Sequence, residues 1–219
     1  MKVTSETQET GPHFLLIVGP SGSGKSTFIR MLKTGSLEKS IFELLPNNCQ
    51  DWPTVEGNEI FKGKTTTKKI LEVIKPSNSA IIHYDIAMIH RHGFQDYKVD
   101  PVFELLSLSS KVSIIEIQID HASLIHQHQG RELQHEVSKK PQSNFWKKNI
   151  RLPLRRIKHY FQNKLVIDTI VMYNTDNFVK ICYDNWDNFT NIINYHQRIK
   201  IRPQLLKNGQ FNFKIQLIN

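Results

Sequence analysis

Four residues near the start of the chain have the types and the spacing of a phosphate-binding loop. They are Gly19, Gly24, Lys25 and Ser26, in the segment GPSGSGKS, and they fill every fixed position of the pattern G-x-x-x-x-G-K-[ST]. Glycines and serines allow successive backbone N–H groups to approach an anion, because no bulky side chain holds the backbone away. The spacing therefore predicts a site for the phosphates of a nucleotide.

The side chains of this glycine-rich loop, residues 19–27, are expected to contact both the phosphates and a metal ion. We expect Lys25 to reach the β- and γ-phosphates and the hydroxyl of Ser26 to ligate Mg²⁺. A helix that begins near Lys25 adds the positive end of its dipole. The expected cofactors are ATP and Mg²⁺, and the expected nucleotide-binding residues are Gly19, Ser21, Gly22, Ser23, Gly24, Lys25, Ser26 and Thr27.

The segment GPSGSGKST resembles the Walker A motif of the phosphate-loop NTPase superfamily, especially its nucleotide and small-molecule kinases. The resemblance is close around the loop and extends to the remainder only through the order of elements. It implies a three-layer α/β/α fold with a mainly parallel central sheet, Mg-nucleotide binding, and phosphoryl transfer or hydrolysis. The base-reading motif N-K-x-D of GTPases is absent, because Asn163-Lys164 is followed by Leu-Val-Ile, and the L-S-G-G-Q signature of transporter ATPases is absent too.

An enzyme of this kind needs a carboxylate near the phosphates, to hold the metal or to accept a proton from the nucleophile. Asp85 follows the apolar run AIIHY, Asp120 follows SIIEIQI, and Glu116 lies inside that second run. Each acid has a structural alternative as a cap or turn residue. Similarity to small kinases favours Asp85, which we expect to contact both the acceptor and the metal.

A position similar to the lid of small kinases is occupied by residues 120–136, DHASLIHQHQGRELQHE. Such lids bring a permanently charged arginine over the transferred phosphate. Arg131 is the candidate catalytic arginine, although kinase lids commonly carry two arginines and this segment has one. A solvated surface charge is the alternative interpretation of Arg131.

A basic segment follows, because residues 137–167 contain no acid and nine lysines and arginines fall between 139 and 164. With its interleaved aromatic residues it could bind nucleic acid, an anionic membrane surface or a polyanionic acceptor, or be a solvated helix face. The formal net charge of +9 indicates anionic partners in general.

The ten histidines form no recognised zinc pattern, and His83 is interpreted as a hydrogen-bonded core residue or as part of the acceptor site.

Composition is typical of a globular chain, with 39% hydrophobic and 22% charged residues. No apolar run is long enough for a membrane span, and the polar start lacks the apolar core of a signal peptide, so we expect a cytoplasmic protein. We expect a flexible lead over residues 1–12 and a single nucleotide-binding domain over 13–219. A lid or inserted helical region is expected over 121–165.

The elements that must position these residues alternate between strands and helices, which predicts an α/β fold with a mainly parallel sheet. Apolar runs predict strands over 13–18, 79–86, 111–120 and 177–184, and an edge strand over 211–218. Helices are predicted over 25–33, 68–75, part of 100–110 and 185–199, whereas residues 46–65 are predicted to form a loop. The three threonines at 65–67 are expected to supply the N-cap of the helix over 68–75.

Together these patterns predict a kinase that transfers the γ-phosphate of ATP to a small-molecule acceptor, expected to be anionic. The alternative is an ATPase or nucleotide-binding protein whose basic segment 139–164 engages nucleic acid or an anionic membrane surface.

Overall fold

The computed structural model describes residues 11–61, 66–86, 101–120, 122–124, 127, 175–205 and 211–216. The strands within them are β1 (His13–Gly19), β2 (Thr54–Glu56), β3 (Ser79–Asp85), β4 (Lys111–Ile117), β5 (Gln197–Leu205) and β6 (Phe211–Ile215). The α-helices are α1 (Lys25–Lys33), α2 (Lys39–Phe42), α3 (Gly57–Phe61), α4 (Thr67–Ile74), α5 (Pro101–Ser107) and α6 (Thr175–Thr190), and Cys49–Asp51 forms a 3₁₀ turn.

The strands form one sheet in the order β2-β3-β1-β4-β5-β6. Strands β1 to β5 are parallel to one another, and β6 closes one edge antiparallel to β5. The residues of β1 from Phe14 to Val18 are completely buried, which explains why this strand is an unbroken apolar run. The predicted α/β fold with a mostly parallel sheet is confirmed.

Helix α1 connects the glycine-rich loop to the hydrophobic core. Phe28, Ile29 and Leu32 are buried on one side of it, as their helical spacing predicts. The helix ends where Gly35 takes a left-handed conformation with φ +67° and the N–H of Ser36 donates to the carbonyl of Met31 at 2.8 Å.

The two faces of the sheet pack against different elements, because side chains alternate along each strand. Leu15, Ile17 and Ile115 share a buried cluster with Phe28 of α1. On the opposite face, Tyr84 of β3 stacks against Phe189 of α6, with ring centroids 6.2 Å apart. The core therefore lies on both sides of the central strands.

Two predictions near the end of the chain are wrong. Residues 177–184, predicted as a strand, belong to α6, and the helix predicted over 185–199 stops at Thr190, before β5 begins at Gln197. In α6 the buried residues Cys182, Trp186 and Phe189 recur at helical spacing. Strand β5 forms because it pairs with β4 over Gln197 to Ile201, a tertiary contact that local periodicity does not encode.

The loop predicted over 46–65 is also partly wrong, because it contains the 3₁₀ turn, β2 and α3. Strand β2 has only three residues and forms by pairing with β3, so it is too short for a periodic signal. The threonine cap of the following helix is confirmed, since Thr66 Oγ1 accepts from the N–H of Lys69 at 3.4 Å.

The chain divides into two compact units, one formed by Met1–Gln118 with Cys182–Asn219 and the other by Ile119–Ile181. The predicted lid region 121–165 falls in the second unit, and most of it lies outside the described residues. Residues 1–10 of the predicted N-terminal lead are likewise outside them. In the part of the chain that is described, no helix has the length and apolarity needed to cross a membrane.

Candidate functional site

The glycine-rich loop joins the end of β1 to the start of α1. Gly22 and Gly24 have φ angles of +95° and +97°, in the left-handed region that residues with a Cβ rarely adopt. At Gly19, where β1 ends, a Cβ would lie 3.0 Å from the carbonyl oxygen of Ile117 and would collide with the hydroxyl of Ser23. The glycines therefore permit a tight loop that a chain with larger residues could not form.

The ammonium group of Lys25 lies inside this loop. Its Nζ donates to the carbonyl oxygens of Gly19 at 2.7 Å and Pro20 at 2.8 Å, and the residue is 5% exposed. The first turn of α1 carries no acidic residue that would oppose an anion. The arrangement is a buried positive charge at a helix N-terminus, which suits a bound phosphate.

The serines and the threonine of the loop differ in exposure. Ser23 Oγ is buried and has no hydrogen-bond partner within the described part of the chain. Ser21 and Thr27 are partly exposed, and Ser26 is exposed at the start of α1. An orphaned hydroxyl, a glycine cradle and a buried ammonium together fit a nucleotide phosphate, and the exposed Ser26 hydroxyl is available to a metal ion.

The position of the loop in the sheet also fits a ligand site. Strands β1 and β4 are neighbours in the sheet. After β1 the chain continues to β2 at one lateral edge, whereas after β4 it continues to β5 in the opposite direction. Ligands of open α/β sheets bind at the carboxyl ends of strands where the connections diverge in this way. The glycine-rich loop begins at that point.

Asp85 is brought to the loop, as the sequence predicts. It is the last residue of β3 and lies opposite Gly19 in the parallel register. The N–H of Ile86 donates to the carbonyl oxygen of Gly19 at 3.3 Å, which ties the two strand ends together. Asp85 is partly exposed, so its carboxylate lies at the edge of the sheet that carries the loop.

Glu116, one of the alternative carboxylates, has a structural role. It is completely buried, and its Oε2 accepts from Arg198 Nε at 2.8 Å and from Trp186 Nε1 at 3.1 Å. Burial opposes the charge of Arg198, but its hydrogen bond to Asp187 and its attraction to Glu116 outweigh burial and raise the pKa of Arg198. The carboxylate of Glu116 is thus engaged in joining β4, β5 and α6.

Asp120 caps a helical turn in the second unit. Its Oδ1 accepts from the N–H of Ser123 and its Oδ2 accepts from the Ser123 hydroxyl, both at 2.8 Å, while its own carbonyl accepts from the N–H of Leu124 at 3.0 Å. This is the capping role that the sequence analysis allowed for an acid after a strand.

The structure also reveals a carboxylate that sequence reasoning missed. Glu56, at the carboxyl end of β2, lies opposite His83 in the register, and its Oε2 accepts from His83 Nδ1 at 2.6 Å. This hydrogen bond lowers the pKa of Glu56 despite partial burial, and the charges of His83 and Lys25 lower it further. Glu56 therefore lies in the electrostatic field of Lys25.

His83 and Asp85 share one face of β3, because they are two residues apart. In the neutral form of His83, Nδ1–H donates to Glu56 and Nε2 is the acceptor. Sequence reasoning identified His83 as a core or acceptor-site residue but missed its partner, because β2 was not recognised. Val55 is the one buried residue of β2, so the sequence carries little signal for this strand.

The remaining candidates lie outside the described residues. They are Arg131, the basic segment 139–164 and the histidines at positions 90, 92, 121, 126, 128 and 135.

Comparison of the chain with protein-family models and with curated proteins finds no match. The geometry of the glycine-rich loop and its neighbouring carboxylates is therefore the basis on which a function can be proposed.

Proposed function

We propose that the protein is a Mg-ATP-dependent kinase of the phosphate-loop NTPase superfamily, with the three-layer α/β/α fold of that superfamily. The observation that carries this proposal is the placement of Lys25 within the glycine-rich loop, where its Nζ donates to Gly19 and Pro20. A mostly parallel sheet with core residues on both faces, and the loop at the point where its connections diverge, support the same assignment.

In this mechanism the loop holds the donor. The backbone N–H groups of residues 21–26 surround the phosphates, and Lys25 exchanges its loop carbonyls for phosphate oxygens. Ser26 and Asp85 supply oxygen ligands of the kind that Mg²⁺ prefers. The metal, when bound with ATP, neutralises charge on the β- and γ-phosphates.

The acceptor belongs beside the carboxyl ends of β2 and β3. Asp85 orients the acceptor hydroxyl, and His83, held by Glu56, has Nε2 available to take its proton. The carboxylates of Glu56 and Asp85 at these strand ends favour a hydroxyl over a phosphate as the reacting group of the acceptor, because like charges repel. An anionic group elsewhere on the acceptor remains consistent with the net charge of +9. Arg131 is the proposed cation over the transferred phosphate.

Release of ADP from ATP tests the function. The purified protein is assayed alone, with neutral hydroxyl compounds such as sugars, polyols and nucleosides, with phosphomonoesters, with nucleic acid, and with anionic liposomes. Stimulation by a hydroxyl compound is expected. Stimulation only by nucleic acid or liposomes would instead support the ATPase whose basic segment 139–164 engages those surfaces.

Paired substitutions test the residue roles. Lys25→Ala is expected to remove nucleotide binding, whereas Lys33→Ala at the other end of α1 is expected to retain it. Asp85→Asn is expected to retain ATP affinity and to lower turnover at least roughly 100-fold, because the acceptor hydroxyl loses the carboxylate that orients it. Asp51→Asn, an exposed acid in the 3₁₀ turn, is the matched control. Unchanged turnover in Asp85→Asn would contradict the role of Asp85.

A further inference from the structure

A cavity of about 470 Å³ lies at the edge of the sheet opposite the glycine-rich loop. His13 and Lys111 are the first residues of β1 and β4, and His196 precedes β5, so the three side chains meet where these parallel strands begin. Trp52 and Ser113 also line the cavity, and both are largely buried. The volume is in the range of pockets for small organic molecules.

The charge of this cavity is positive and only weakly compensated. Lys111 and His196 have no carboxylate partner within the described ranges of the chain. The acid that lines the cavity is Glu43, and it is paired with Lys39 on the surface at 3.6 Å. Basic groups that lack an intramolecular anion are suited to bind an external one.

The pKa of His13 reflects the burial and the positive charge of the cavity. Burial, followed by repulsion from Lys111 and then from His196, lowers the pKa of His13 to about 4. Its neutral ring contacts Trp52 edge to face, with centroids 4.8 Å apart, and its Nε2 shares a hydrogen bond of 3.2 Å with Ser113 Oγ. The cavity therefore combines a neutral aromatic wall with the cation of Lys111 and the imidazole of His196.

We propose that this cavity binds a small organic anion, a planar ring that carries a phosphate or a carboxylate. The ring packs against Trp52 and His13, and the anionic group accepts hydrogen bonds from Lys111 and, when it is protonated, His196. This second site lies beyond the proposed kinase function and does not depend on it, because it uses none of the residues of the glycine-rich loop.

Four probes separate the contributions of ring and charge. Phenyl phosphate and benzoate carry both features, inorganic phosphate has only the charge, and benzyl alcohol has only the ring. Binding is measured from the imidazole NMR signals of His13 and His196, assigned with His13→Gln and His196→Gln. We expect saturable binding of phenyl phosphate or benzoate, weaker binding of the other two probes, and a rise in the pKa of His13, because an anion stabilises its imidazolium form.

Tighter binding of phenyl phosphate identifies the anionic group as a phosphate, and tighter binding of benzoate identifies it as a carboxylate. Either result supports the site. All titrations are repeated in Lys25→Ala, in which the glycine-rich loop is expected to lose the proposed phosphate binding. Persistence of the His13 shift in that variant is expected and makes the outcome independent of the proposed nucleotide site.

Lys111→Ala is expected to weaken binding roughly tenfold or more, because a charge-assisted hydrogen bond is lost. Lys68→Ala, an exposed lysine of α4, is the matched control and is expected to bind normally. His196→Gln is the second variant, and far-UV circular dichroism checks that both substituted proteins are folded. The proposal is overturned by equal binding in Lys111→Ala, by equal binding of benzyl alcohol, or by no saturable binding of the two ring anions.

Discussion

Lys25 donates to two carbonyl oxygens of its own loop, Gly19 and Pro20, and these bonds stabilise its buried charge. Phosphate oxygens are charged acceptors and form stronger hydrogen bonds than backbone carbonyls. The same side chain can therefore exchange one set of acceptors for the other without leaving the loop. At the scale of the residue, the site is preorganised by backbone conformation and one buried cation.

Gly24→Ala tests this preorganisation. Gly24 has φ +97°, and an added Cβ would lie 3.3 Å from the Phe211 ring, so we expect the free energy of unfolding to fall by more than about 1 kcal/mol. Gly35→Ala is the matched control, because Gly35 has φ +67° and nothing lies within 4 Å of its added Cβ. Urea denaturation measures both variants, and equal losses would show that crowding at Gly24 contributes nothing.

His13 gives the pH dependence of stability a predictable sign. Its pKa in the folded protein is about 4, below the ordinary 6.5 that the unfolded chain has, so the unfolded state binds the proton more tightly. We expect the free energy of unfolding to decrease as pH falls from about 6.5 towards 4 because of this residue. His13→Gln should flatten that part of the profile when urea denaturation is repeated across the range, and an unchanged profile would contradict the assignment.

Between elements, the buried cluster of Glu116 and Arg198 joins β4 to β5, and Asp187 and Trp186 extend it to α6. The antiparallel β6 adds a second connection, because Phe213 contacts Phe28 of α1 at 5.1 Å between ring centroids. The strands next to the glycine-rich loop and the helix after it are thus fixed by contacts that involve residues far apart in the chain.

Glu116→Ala is expected to lower the free energy of unfolding by about 3 kcal/mol, because Arg198, 14% exposed, keeps its charge and loses the completely buried carboxylate that pairs with it. Asp187→Ala is the comparison, since its side chain is 49% exposed and should contribute about 1 kcal/mol or less. Urea denaturation measures both changes. Nucleotide affinity of folded Glu116→Ala should be unchanged, and its loss would instead place Glu116 in the metal site.

In the whole molecule, β1 runs between two candidate sites, one where the parallel strands begin and one where they end. His13 at its first position lines the cavity, and Gly19 at its last position begins the glycine-rich loop. Both edges bring together residues from distant parts of the chain, since parallel strands place their starts at one edge and their ends at the other.

Amide hydrogen exchange should follow this architecture. We expect the slowest exchange in Phe14–Val18 of β1, which is fully buried and paired on both sides, and faster exchange in β6 at the edge. Mg-ATP should slow exchange in residues 19–27 under the proposed function. Exchange in β1 as fast as in β6 would contradict the arrangement of the sheet.

Prediction from the sequence succeeded where the signal was local. The strand, loop and helix around GPSGSGKS, the position of Asp85 at a strand end and the Thr66 cap all follow from patterns within a few residues. It failed for β2 and for residues 177–199, because the short strand β2 is defined by pairing with β3 and because Cys182, Trp186 and Phe189 make a buried face only in a helix. Those failures hid Glu56, the partner of His83.

The sequence by itself therefore determined the glycine-rich loop on which the proposed phosphate binding rests, because the glycines, Lys25 and Ser26 lie within eight consecutive residues and their conformation is set by local sterics. Only the tertiary structure decided which acids stand near the loop. It placed Asp85 beside Gly19, joined Glu56 to His83, and buried Glu116 against Arg198. It also assembled the cationic cavity at the other edge, since His13, Lys111 and His196 meet only when the strands are paired in register.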